Sequence, residues 1–218
     1  MTTAPETNAT QESRKTPATP PLAAGFQDPV HDAQACFRAA MNAIARPGTR
    51  QAVDAGGLTP PAPLTPVAAA LALTLLDYDT PVWLDKPLMA SDAVKAFLRF
   101  HTGAPIVSEP VEAAFALVGN PGQMIPLASF NQGSAEYPDR SATVILLGQD
   151  FGAVQAVTLQ GPGIQDSAAF SVSPVPPVFW EQVAANSRQF PRGIDLIFAG
   201  DAEIAALPRS TRIMPTEV

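Results

Sequence analysis

The chemistry open to this chain is bounded by two histidines, His31 and His101, and a single cysteine, Cys36. A site built on three imidazoles cannot come from one copy. Asp28, His31 and Asp32 cluster where the first helix should start, and carboxylate with imidazole is a donor set for a divalent metal. Acidic side chains in that position also satisfy free backbone N–H groups, so capping takes precedence over metal binding. Asp77 and Asp79 fall on one side of an extended segment, but an acid/base pair needs environments that separate the two pKa values. The flanking Tyr78, Thr80 and Pro81 read instead as a turn. Cys36 follows no histidine at a pairing distance and reads as a small buried thiol, not a nucleophile. Gly161-Pro162-Gly163 could present N–H groups to an anion, yet the proline removes one donor. Neither GxGxxG nor a glycine-rich loop ending in Lys-Ser or Lys-Thr is present, which leaves that segment as a turn.

The densest positive charge lies at Arg188, Arg192, Arg209 and Arg212. Guanidinium forks suit a phosphate or a partner's carboxylate equally. A solvated patch, a partner contact and a bound phosphate compound are the three readings of this set. The four flank two strand-like runs, 194–199 and 203–207. If that pair closes the sheet, its exposed edge invites a partner and the arginines become contact residues. No residue is assigned to catalysis, to a cofactor or to a metal.

The elements that must position these groups follow from periodicity and punctuation. Ala33, Phe37, Met41 and Ile44 recur at spacings of three and four, which predicts a helix over 32–45 with those residues as its apolar face, ended by Pro47-Gly48. Thr65-Pro66 opens a second helix, apolar on nearly every side to Leu76, so it should lie between layers. Val82-Trp83-Leu84 is a short strand. Ser91 caps a helix whose Val94, Phe97 and Leu98 share a face, and 177–189 offers another. The runs 113–118, 142–147, 153–159, 194–199 and 203–207 are strand-length. Gln149–Gly152 and Gly200-Asp201 each predict a hairpin, so the sheet is expected to be mixed, in a layered α/β sandwich with one continuous core.

Composition sets the outer limits. The 218 residues suffice for one domain, and DEKR residues make up only 15% of the chain, against about 25% in an average soluble domain. The net charge of -7 removes the usual electrostatic support for nucleic-acid binding. One cysteine and no recognisable leader predict a soluble, cytoplasmic protein. No apolar stretch reaches membrane-spanning length. Residues 1–24 are polar and proline-rich and read as a disordered tail, leaving 25–218 as a single domain.

Several blocks in a fixed order carry a resemblance. Asp28-Pro-Val-His-Asp-Ala-Gln34, Phe37-Arg38, Arg46-Pro-Gly48, Thr74-Leu-Leu-Asp-Tyr-Asp-Thr-Pro-Val-Trp-Leu84, Phe100-His-Thr-Gly103, Gly161-Pro-Gly-Ile164, Phe190-Pro-Arg-Gly-Ile-Asp-Leu196 and Leu207-Pro-Arg-Ser-Thr-Arg212 together resemble the PhnH family, the H subunit of the bacterial carbon–phosphorus lyase core complex. The resemblance spans 26 to about 213. It implies a three-layer α/β/α sandwich with a mixed sheet, similar to pyridoxal-phosphate-dependent transferases but without the cofactor. It also implies a homodimer when isolated, with the G, I and J subunits as partners. The implied role is accessory, supporting alkylphosphonate ribose 5-triphosphate synthesis from ATP and alkylphosphonate during phosphonate catabolism. A nucleotide- or phosphate-binding enzyme acting alone is the alternative. Consistent with an absent Schiff base, the only lysines are Lys15, Lys86 and Lys95, and none follows a sheet strand in a phosphate-binding context.

Overall fold

A computed structural model describes residues 22–153 and 156–214. Most of the tail expected over 1–24 therefore lies outside the described residues. Ala23, near the start of the described chain, packs against the core, and its carbonyl lies 2.9 Å from His101 Nε2.

The central element is a seven-stranded mixed sheet in the order β1-β11-β10-β5-β4-β2-β3. Its strands are β1 (Gln51–Ala52), β2 (Val82–Leu84), β3 (Ile106–Val107), β4 (Phe115–Val118), β5 (Thr143–Leu146), β10 (Asp195–Ala199) and β11 (Glu203–Leu207). From β10 to β3 every neighbour is parallel, while β11 runs antiparallel to both β10 and β1. Parallel strands covered on both faces are apolar at successive positions, and Val144, Ile145 and Leu146 are all fully buried. Alternation sends Leu117, Ile145 and Ile197 into one core, and Val118, Leu146 and Phe198 into the other.

The first core is roofed by α1 (Pro29–Ala45), α2 (Pro66–Leu75) and α4 (Asp92–Thr102), with the single turn α3 (Lys86–Met89) before α4. Thr65 caps α2 by accepting from the Ala68 N–H, and Val67 to Ala72 are wholly buried, as an all-apolar helix between layers requires. Ser91 caps α4, Val94, Phe97 and Leu98 are its buried residues, and Gly103 ends it in the left-handed conformation. Helix α1 differs from expectation. It buries the small residues Cys36, Ala39, Ala40 and Ala43, and leaves Phe37 and Met41 each 48% exposed. Close approach to the sheet and α2 favours the small face over the more apolar one.

The second core is closed by α5 (Phe179–Ser187), through Phe179 and Val183, together with two small antiparallel sheets. One has the order β12 (Arg212–Met214), β7 (Val157–Gln160), β8 (Ala168–Phe170); the other pairs β6 (Asp150–Phe151) with β9 (Val172–Ser173). The fold is thus a sandwich of helices, mixed sheet, and a second layer of helix and ribbon.

Two expected hairpins fare differently. The Gly200-Asp201 turn joins β10 to β11 as predicted, closed by Gly200 N–H donating to the Glu203 carbonyl at 2.9 Å. Around Gln149–Gly152 no hairpin forms among the described residues, because both sides of β5 are taken by β4 and β10 while β7 lies in the smaller sheet. The terminal hairpin is not a sheet edge either: β1 covers β11, with Gln51 opposite Ile204, and the edges are β1 and β3. Among the described residues no helix is long and apolar enough to cross a membrane.

Candidate functional site: the crevice at the carboxyl ends of β2 and β4

Strand β2 delivers Trp83 at its middle and Asp85 just past its end. From there the chain turns through α3 and α4 into the first core, where Leu88, Val94, Phe97 and Leu98 are buried. The adjacent parallel strand β4 ends at Val118, and its continuation crosses to the opposite face, burying Leu127 and Phe130 in the second core. Two neighbouring parallel strands whose connections leave to opposite faces open a crevice at their carboxyl ends. That is where open α/β sheets place their ligands.

Asp85 ties the two sides together. Only 7% exposed, it caps α3 by accepting from the Leu88 N–H at 3.3 Å, and its other oxygen accepts from the Asn120 N–H at 2.8 Å. Both of its oxygens are therefore occupied by backbone donors. Gly119 lets the loops close, since a Cβ there would meet Leu88 Cγ at 3.2 Å and Asp85 Oδ1 at 3.4 Å.

The space between the loops is a cavity of about 480 Å³, lined by Trp83, Lys86, Val118, Asn120, Gln123 and Met124 among others. Trp83 is held edge-on to Phe130, with ring centres 5.5 Å apart. Asn120 donates through its carboxamide to Gln123 Oε1 at 3.3 Å. Contrary to the expectation that no lysine follows a sheet strand, Lys86 stands just past the end of β2, after Asp85; it is exposed at the rim and makes no ion pair among the described residues. The result is a mainly apolar pocket with one cation and one coupled carboxamide pair. An Asp directly after an apolar strand and before Lys-Pro is a helix-start signal, and it is the feature that could have located Asp85 from sequence. The cavity has no such local signal, since its walls come from two segments, 83–90 and 118–125, that are distant in the chain.

Asp28 caps α1 by accepting from the His31 N–H, and its second oxygen meets His31 Nδ1 at 2.8 Å. The backbone bond from His31, followed by the bond from its ring, holds the Asp28 carboxyl below its ordinary range. Asp32 accepts from the Asp28 N–H at 3.1 Å. Asp77 accepts from the Asp79 N–H at 3.0 Å and from the Thr80 hydroxyl, which makes it a turn residue. Cys36 is buried, and that burial raises its thiol pKa. Gly163, with φ 82°, packs so closely that a Cβ would lie 2.2 Å from the Ala45 carbonyl oxygen. The Gly161–Gly163 turn is therefore shaped by the end of α1. Lys95 pairs with Asp92 at 2.7 Å.

The four arginines have unlike environments. Arg188, Arg192 and Arg212 are exposed and make no ion pair among the described residues. Arg209 is turned inward: Nε donates to Asp195 Oδ1 at 3.1 Å, Nη2 to Asp195 Oδ2 at 2.6 Å, and Nη1 to the Pro138 carbonyl. Its backbone N–H also donates to Asp195 Oδ1 at 2.8 Å. The guanidinium thus joins β10 to the segment after β11 and to the 138 turn.

A family model described as "Bacterial phosphonate metabolism protein (PhnH)" matches residues 24–214. A protein of Rhizobium meliloti (strain 1021) named as the PhnH subunit of alpha-D-ribose 1-methylphosphonate 5-triphosphate synthase is 39% identical over 188 residues, covering 86% of this chain and 93% of that protein. A Stutzerimonas stutzeri protein described as "Putative C-P lyase subunit protein HtxG" is 32% identical over 182 residues, covering 83% of this chain and 85% of its own length.

Proposed function

The chain belongs to the PhnH family of bacterial phosphonate metabolism proteins, and from that membership we propose that it is an accessory subunit of an alkylphosphonate ribose 5-triphosphate synthase. The reaction it supports replaces the adenine of ATP by an alkylphosphonate, breaking the glycosidic C–N bond and forming a C–O bond to the phosphonate. The carrying observation is the 39% identity over nearly the full length of a relative named for that synthase. In this reading the chain is cytoplasmic, pairs with itself when isolated, adopts a fold akin to the pyridoxal-phosphate-dependent transferases, and works beside the G, I and J subunits. Phe37 and Met41, exposed on α1, support a protein that works in contact with others. The exposed Arg188, Arg192 and Arg212 remain available as partner or anion contacts, whereas Arg209 is engaged with Asp195 and the Pro138 carbonyl.

The test is purification of this chain with and without its G and I counterparts, followed by adenine release from ATP and methylphosphonate. Little release is expected from the chain alone, with clear stimulation when it joins the others. Vigorous release by the chain alone would replace the accessory role with the alternative, a nucleotide-handling enzyme acting by itself.

A further inference from the structure

We propose that the crevice at the carboxyl ends of β2 and β4 is a nucleobase site, with Trp83 as the aromatic wall, the Asn120–Gln123 pair as the edge reader and Lys86 as the contact for a phosphate carried by the same molecule. The inference rests on this chain's own residues and holds whether or not the chain works within a synthase.

The lining selects the ligand class. A cavity of about 480 Å³ falls within the usual size range for small-molecule sites. Its walls, Trp83, Pro87, Val118, Met124 and Ile125, are apolar and suit a flat body more than a sugar or a polyphosphate. Aromatic side chains stack on any base, because every base has a π-face. Asp85 offers a ligand no unpartnered oxygen, as each of its oxygens already accepts a backbone N–H.

The carboxamides supply directionality. With Asn120 Nδ2 donating to Gln123 Oε1, the pair presents Asn120 Oδ1 as an acceptor and the Gln123 amino group as a donor. If both amides were rotated, the exchange would again leave one donor and one acceptor, so the pattern does not depend on that assignment. Adjacent donor and acceptor atoms are what the Watson–Crick edge of a nucleobase offers, adenine, guanine and cytosine among them. One ammonium, in a chain of net charge -7, can meet a single phosphate but cannot neutralise a triphosphate. The base is therefore the anchoring group.

The experiment titrates the isolated full-length chain with adenosine, guanosine, cytidine, AMP and ribose 5-phosphate, reading tryptophan emission and calorimetric heat. The chain has two tryptophans, so Trp180→Phe leaves Trp83 as the reporter. Saturable quenching by at least one nucleoside is expected in that variant, and none in Trp83→Phe. Asn120→Ala with Gln123→Ala should weaken nucleoside binding roughly tenfold while the melting temperature holds. Lys86→Met should weaken AMP and leave the nucleoside unchanged. Absence of saturation with every nucleoside would overturn the proposal, as would wild-type affinity in the carboxamide double variant. Ribose 5-phosphate competing as well as AMP would also overturn it, by showing a phosphate site indifferent to the base.

Discussion

At the scale of the residue, Arg209 shows how position governs what a charged group does. Its side chain and that of Asp195 are 16% and 20% exposed, with two guanidinium nitrogens on the two carboxylate oxygens. Truncation would leave the largely enclosed Asp195 carboxylate without its guanidinium partner and the Pro138 carbonyl without that donor. Arg209→Ala should accordingly cost about 2–4 kcal/mol in chemical denaturation, whereas the exposed Arg192→Ala should stay within about 0.5 kcal/mol. Equal, small effects from both would show that the Arg209 fork does not hold the segment after β11. Charge reversal at Arg209 is consequently a probe of folding, and the partner question is properly put to Arg188, Arg192 and Arg212.

At the scale of the element, α1 turns its small face inward. Cys36, Ala39, Ala40 and Ala43 are buried, so the helix approaches α2 more closely than a Phe37 face would allow. Inside that contact, burial pushes the Cys36 thiol above its ordinary pKa of 9.0, opposed only in part by a hydrogen bond with Thr74. The unfolded thiol ionises first as pH rises, so stability is retained below that ordinary value and lost as pH climbs through it toward the folded value. Cys36→Ala should flatten the fall in unfolding free energy above pH 9, relative to the parent chain. An identical slope in both would show that the thiol is not shielded. Exchange with a disulfide reagent gives a second readout, expected to be slow at neutral pH and fast once the chain is unfolded.

At the scale of the whole molecule, one sheet serves two cores. Ile197 and Phe198 are neighbours on β10, yet Ile197 faces the helical layer and Phe198 the layer containing α5, 1% and 0% exposed respectively. A break in either core disturbs the same seven-stranded sheet. Ile197→Ala and Phe198→Ala should each cost about 2–5 kcal/mol and shift one common transition seen by far-UV dichroism and tryptophan emission. Separate transitions, with only one probe moved by each substitution, would mean that the layers unfold independently. The same two-sided arrangement makes the β2–β4 crevice possible, because a ligand cleft requires the connections to part toward opposite faces.

Much of this was legible in the residues alone. Thr65, Ser91 and Gly103 mark helix ends through bonds or backbone angles that reach three or four residues, and such short-range chemistry is written directly in the order of side chains. The β10–β11 hairpin and the family blocks from 26 to about 213 are likewise properties of local sequence and spacing. The tertiary structure alone decided the order of strands, the buried face of α1, the inward fate of Arg209 and the existence of the crevice. These depend on which distant segments compete for the same neighbour. Arg209 meets partners 14 and 71 residues away, and Asp85 reaches Asn120 across 35. Periodicity reports that a strand or helix face is apolar, but only packing decides which surface it covers, because that choice is set by the shape and volume of elements elsewhere in the chain.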